Sequence, residues 1–135
     1  MAFSVSFSED TTPLNISQNS PIRFNHVTTN TGNGYDQHTG TFTAPTSGLY
    51  ALYMRVREHT TTGSYVVVGI VKSQTLLCRT VVEGTNYARW DKGSCFTTVR
   101  LNRGDEVHVQ RLAGAVIIDK GWQTAFAGVL ISADL

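Results

Sequence analysis

Apolar and polar residues alternate from the start of the chain. Phe3, Val5 and Phe7 are interleaved with Ser4 and Ser6, which predicts a strand with one buried face. The longest run of this kind, residues 49–58, sets Tyr50, Leu52, Met54 and Val56 on one face. Ala51, Tyr53, Arg55 and Arg57 lie on the other. Residues 65–71 are nearly all apolar, the pattern of a strand covered on both faces. Lys72-Ser73-Gln74 turns that strand into 76–82. Strands 95–101 and 107–109 follow, joined by the tight turn Asn102-Arg103-Gly104-Asp105, and 124–132 closes the chain. Thr41-Phe42-Thr43 is a short strand ended at Pro45. Ile22-Arg23-Phe24 opens an extended piece in which Val27 falls out of phase, the mark of a bulge. Residues 9–20 are a polar stretch, 83–93 read as a loop, and 114–122 as a loop or a broken strand. No window carries the i, i+3, i+4, i+7 stripe of an amphipathic helix. Nine or ten short strands with Gly, Asn, Asp or Pro between them predict an all-β sandwich or barrel.

Composition narrows the class further. With 135 residues the chain makes one domain and one core. Thr and Val are abundant, and such β-branched residues suit a pleated sheet. Charged residues are 16% and the net charge is +1, so no basic surface calls for nucleic acid or acidic membranes. No apolar run approaches the ~18 residues of a spanning helix, and the alternating N-terminus lacks the basic flank of a signal peptide.

Catalytic chemistry finds little to build on. His26, His38, His59 and His108 fall in four separate segments, with no zinc-ligand spacing and no nucleophile pattern around them. Thr31-Gly32-Asn33-Gly34 is half a dinucleotide fingerprint, but no helix follows, so it is a turn. Asn15-Ile16-Ser17 is an N-glycosylation sequon in a polar stretch.

Three spaced motifs carry a family resemblance. Phe24, Asn30, Tyr35, Phe42, Gly48 and Tyr50 resemble the signature of the complement C1q globular head. Leu52 and Met54 stand where that family has two more aromatics. Leu101-Asn102-Arg103-Gly104-Asp105-Glu106-Val107 resembles its Leu-x-x-Gly-Asp-x-Val turn. Phe126-Ala127-Gly128-Val129-Leu130 resembles its closing Phe-x-Gly-x-Leu strand. The likeness runs in order over residues 2–133. It implies a ten-stranded jelly roll of two five-stranded antiparallel sheets, shared with the tumour necrosis factor superfamily. It also implies a homotrimer, an extracellular recognition role and no enzyme activity. No Gly-X-Y tract occurs in these residues, which points to the stand-alone head type, with its lectin-like binding of microbial or endogenous glycans. The alternative is a cytokine-like or structural trimer that meets a protein receptor at the subunit seams.

Candidate residues follow from both readings. Tyr87, Arg89, Trp90 and Asp91 combine aromatic faces with directional polar groups, the ingredients of a glycan site, and Trp122 joins them as a loop aromatic. Either Trp can instead cap an end of the sandwich. Ala51, Tyr53, Arg55 and Arg57, with Phe96, Arg100 and Phe126 on later strands, are the expected trimer interface. Cys78 and Cys95 either bridge the two sheets or pack as buried thiols, and the distance between them decides. No cofactor is required. The family resemblance also admits calcium near a trimer axis, with Asp91, Asp105 and Asp119 as scattered candidates.

Overall fold

The computed structural model describes residues 1–7, 14–15, 18–60, 65–83, 89–114, 117–118 and 124–135. Among these the chain forms only strands and turns. The strands are β1 (Ala2–Ser6), β2 (Leu14–Asn15), β3 (His26–Thr31), β4 (Tyr35–Asp36), β5 (Thr41–Thr43) and β6 (Gly48–Thr60). They continue with β7 (Tyr65–Lys72), β8 (Thr75–Glu83), β9 (Arg89–Leu101), β10 (Glu106–Gly114), β11 (Ile117–Ile118) and β12 (Ala125–Ala133). All strand pairs are antiparallel.

The smaller sheet has the order β4-β5-β10-β7-β8. The larger one reduces to five positions, β9-β6-β12-β1-β3. The two-residue β11 extends the line of β12 along β6, and β2 sits beside it as β1 sits beside β12. Two five-position antiparallel sheets make the expected jelly-roll sandwich. The closing strand β12 lies between β6 and β1, so the C-terminus is tied down centrally.

The alternation in β6 does what its pattern predicts. Tyr50, Leu52, Met54 and Val56 are fully buried between the sheets, so the two aliphatic departures from the family signature fill core positions. Phe3 anchors an aromatic cluster with Phe42 at 4.3 Å and Phe126 at 4.8 Å between ring centroids. Phe24 and Phe7 continue it at 5.1 Å.

Several sequence expectations shift. Ile22, Arg23 and Phe24 form no strand, although the Ile22 N–H donates to the Val109 carbonyl at 2.8 Å, and β3 begins at His26. The bulge is real, with Ser4 opposite Thr29 and Val5 opposite Val27. Residues 65–71 are covered on both faces only in their second half, since Tyr65 and Val67 open outward on the smaller sheet while Gly69 and Val71 on the same face are buried. The loop expected at 83–93 is mostly strand. β8 runs to Glu83 and β9 starts at Arg89, because β6 extends to Thr60 and supplies a 13-residue ladder. β10 likewise runs to Gly114, held by pairing with β7.

The signature residues have local tasks. The Asn30 side chain clasps Tyr35, donating to its carbonyl at 2.9 Å and accepting from its N–H at 3.0 Å. This closes the turn in which Gly32 and Asn33 take positive φ. The Tyr35 hydroxyl then donates to the Phe24 carbonyl at 2.8 Å. At Gly48 a Cβ would collide with the Ser132 carbonyl across the β6–β12 ladder. In the Gly-Asp turn, the Asp105 carboxylate accepts from the Asn102 N–H at 2.8 Å and pairs with Lys72 at 3.2 Å. The Asn102 bond, reinforced by Lys72, holds the Asp105 carboxyl below its ordinary pKa.

Burial pushes the Tyr35 phenol well above its ordinary pKa, against a smaller lowering by the Phe24 bond. The folded protein therefore holds this proton more tightly than the unfolded chain. Stability from the buried phenol is complete below about pH 10 and falls as pH rises from there. Tyr50 is shifted the same way by burial. Tyr35→Phe should reduce this alkaline slope without abolishing it, and should cost roughly 1–3 kcal/mol at neutral pH by leaving the Phe24 carbonyl unpaired. Urea unfolding at pH 7 and at pH 10.5 measures both.

Candidate functional site

The outward face of the larger sheet is built in rows by the strand register. One row reads Phe96, Tyr53, Ala127, Ser4, Thr29 across β9, β6, β12, β1 and β3. The next reads Thr98, Ala51, Val129, Ala2, Thr31. Alanines and a serine in the middle of the rows leave a shallow depression of about 320 Å³, with Tyr53 and Phe96 along it. Phe96 is 64% exposed and Val129 47%, so the face presents large apolar groups to solvent. Charge bounds it at both ends. Arg55 and Arg57 continue the β6 face on one side, while on the other the Arg100 guanidinium forms a two-pronged ion pair with Asp134 of its own chain.

Ala51, Tyr53, Arg55, Arg57, Phe96 and Arg100 thus share one face. Phe126 does not, and its expected place at the seam is corrected. It pairs with Met54 and Val5, points into the core and is fully buried. A strand turns each successive residue to the opposite face, so Ala127 and Val129 hold the outward positions instead. The phase of β12 against β6 selects those two.

Cys78 and Cys95 form a disulfide with Cα atoms 6.1 Å apart. Cys78 lies on β8 and Cys95 on β9, edge strands of different sheets, so the bond staples one side of the sandwich. Both pack against the core. In the loop-entropy view a closed loop of this length is worth about 3 kcal/mol. A Cys78→Ser, Cys95→Ser double variant should unfold at a clearly lower urea midpoint, and reduction of the wild type should reproduce the loss.

The expected glycan residues are only partly placed. Tyr87 and Trp122 lie outside the described residues. Arg89, Trp90 and Asp91 begin β9 and pair in register with Thr60, His59 and Glu58, so they stand on a strand and not in a loop. Of the acids considered for calcium, Asp105 is engaged in its turn, Asp119 lies outside the described residues, and Asp91 has only its backbone described. Among the described residues no three His, Cys, Asp or Glu side chains converge. Among the described residues no helix is long and apolar enough to cross a membrane.

A jelly-roll sandwich with a disulfide-stapled edge and an apolar face of small residues defines the class structurally. The C1q domain family model matches residues 2–131, and the chain belongs to that family. The chain is 32% identical over 114 residues to the complement C1q tumor necrosis factor-related protein 3 of Mus musculus and of Homo sapiens. That match covers 84% of this chain and 46% of each relative, so the chain spans about half the length of the curated relatives it matches. In fold it is similar to the globular domain of a zebrafish complement 1qA protein, with a TM-score of 0.76 at 19% identity over 98% of both chains. Eiger TNF from S. frugiperda has a TM-score of 0.79 at 11% identity, covering 100% of this chain and 94% of that one. Murine APRIL has 0.71 at 16%, covering 96% and 98%.

Proposed function

We propose that this chain is a non-enzymatic recognition module of the extracellular space. It assembles as a homotrimer through the outward face of the larger sheet and binds glycans on microbial or endogenous surfaces. The observation that carries the assembly is the apolar face itself. Phe96 and Val129 are exposed in the single chain, Phe96 beside a floor of alanines and Val129 among them, the shape that a neighbouring copy's side chains can fill. The Cys78–Cys95 bond suits an oxidising compartment. Family membership supports the recognition role. Trimerisation sets three weak sugar sites on one body, which gives avidity against repetitive surfaces such as mannan or lipopolysaccharide when the sites face the same way.

A glycan array with wild type, Trp90→Ala and Arg89→Ala tests the glycan reading. If these residues contact sugar, each variant should bind roughly 1–3 kcal/mol more weakly with its oligomeric state intact. If Trp90 is a structural plug, the melting temperature falls instead and binding per folded trimer is unchanged. An array on which the wild type binds nothing, beside capture of a specific protein receptor, replaces this reading with the receptor-binding trimer.

A further inference from the structure

The smaller sheet carries a groove of its own, on the side of the sandwich away from the apolar face described above. Behind its floor lies Gly69 of β7, which sits between Gln110 of β10 and Arg79 of β8 and is not itself a lining residue. Any side chain there would meet the Cys78 carbonyl at 2.6 Å. Its absence lets the Leu76 and Leu112 side chains lean in from both sides, to 2.8 and 3.1 Å of where a Cβ would stand. With Val71 they make an aliphatic floor in a groove of about 570 Å³, within the ~300–1,000 Å³ of small-molecule sites.

Polar groups rim this floor in a bonded chain. The His108 ring nitrogen Nε2 lies 2.6 Å from Gln110 Oε1, so the ring donates to the amide oxygen. Gln110 Nε2 in turn donates to Asn19 Oδ1 at 3.4 Å. These bonds orient the Gln110 amide on the strand and leave the Asn19 amide N–H groups to donate elsewhere. Asn19 is itself fixed by its backbone N–H, which donates to the Arg111 carbonyl at 3.2 Å. Ser73 closes the opposite end in the β7–β8 turn. Asn19 and Ser73 both take positive φ, 63° and 46°, so two of the three such non-glycine residues described border this one groove. None of the lining residues is a lysine, arginine, aspartate or glutamate.

We propose that this groove binds an uncharged hexose-type sugar ring. The C–H face of the ring lies on Leu76, Leu112 and Val71, and its hydroxyls bond to Asn19, Gln110 and His108. An ionic ligand is disfavoured because no lining residue offers it a fixed countercharge, whereas hydroxyls match amide and imidazole groups, which both donate and accept. A purely apolar ligand would leave the amide chain desolvated without new partners. This inference rests on the glycan reading above and locates that reading on the smaller sheet.

The test follows methyl resonances of Val71, Leu76 and Leu112 during titration with methyl α-D-mannopyranoside, methyl β-D-galactopyranoside and N-acetylneuraminic acid. A surface-bound mannan arm distinguishes polymer from free sugar. At least one neutral glycoside should shift these methyls saturably and the acidic sugar should not. Gln110→Leu should weaken that binding at least tenfold with an unchanged melting midpoint and oligomeric state. Asn19→Gly keeps the positive φ accessible and should weaken binding several-fold, which serves if Gln110→Leu does not fold. Neutral glycans that bind equally to Gln110→Leu and Asn19→Gly but are lost in Trp90→Ala overturn the groove and leave the glycan reading standing. Preference for the acidic sugar at these methyls overturns the ligand class. A wild type that binds neither glycoside, acid nor mannan overturns the glycan reading and the groove together.

Discussion

A Tyr53→Asp protein is expected to scatter light as a single 14.8 kDa chain at micromolar concentration, where the wild type scatters as three. Tyr53 stands second in the row from Phe96 to Thr29, flanked by Phe96 on β9 and Ala127 on β12. In the proposed trimer this row is desolvated. A carboxylate placed there loses its water and gains no partner from the neighbouring alanines. The loss of an aromatic anchor alone is a hot-spot change of roughly 2 kcal/mol or more, and closed three-fold symmetry repeats it at every seam. The fold should survive, because Tyr53 points away from the core residues Leu52 and Met54 on either side of it. An unchanged far-UV spectrum and an intact Cys78–Cys95 bond would confirm that. A Tyr53→Asp protein that remains trimeric would place the seam elsewhere, and a wild type that is monomeric at micromolar concentration would remove it.

Phe126→Ala should do the opposite, attacking the fold before the assembly. The ring is fully buried, 4.8 Å from Phe3 edge-on and 6.2 Å from Phe24. Removing it opens a cavity between two sheets whose backbones are locked by ladder bonds, so little collapse can fill it. The expected cost is about 3–5 kcal/mol. Domains of this size hold only ~5–15 kcal/mol in total, so the variant should sit near its unfolding midpoint at moderate urea. Equilibrium unfolding followed by tryptophan fluorescence measures it. A loss below about 1 kcal/mol would mean that the side chain is not packed as described.

The two residues are close neighbours across the β6–β12 ladder, yet one variant should break the assembly and the other the core. That contrast shows how far the sequence can be read. The alternation in β6 was legible because a strand has a period of two and its buried face is continuously apolar. The closing strand was harder. Ala125, Phe126, Ala127, Gly128, Val129 and Leu130 are apolar on both faces, so hydropathy cannot choose the phase. The register against β6 and β1 chooses it, pairing Phe126 with Met54 and Val5. The extension of β9 back to Arg89 was hidden for a similar reason. Residues 89–94 are polar apart from Trp90 and contain a glycine, and they become strand because β6 offers unpaired backbone groups that pairing satisfies.

The sequence by itself determined the all-β class, the buried face of β6, the turns at Asn102 and Ser73, and the family, through motifs whose residues each meet a local backbone need. Asn30 must reach Tyr35, and Gly48 must clear Ser132. Only the tertiary structure decided what depends on distance between segments far apart in the chain. It brought Cys78 within bonding reach of Cys95, tied Arg100 to Asp134, and moved Phe126 from the expected seam to the core. It also set Asn19, Ser73 and His108 around one groove with Leu76 and Leu112. Periodicity reports which side of its own strand a residue takes. Which partner stands opposite is fixed by register and by the stacking of two sheets, and neither is a local property of the chain.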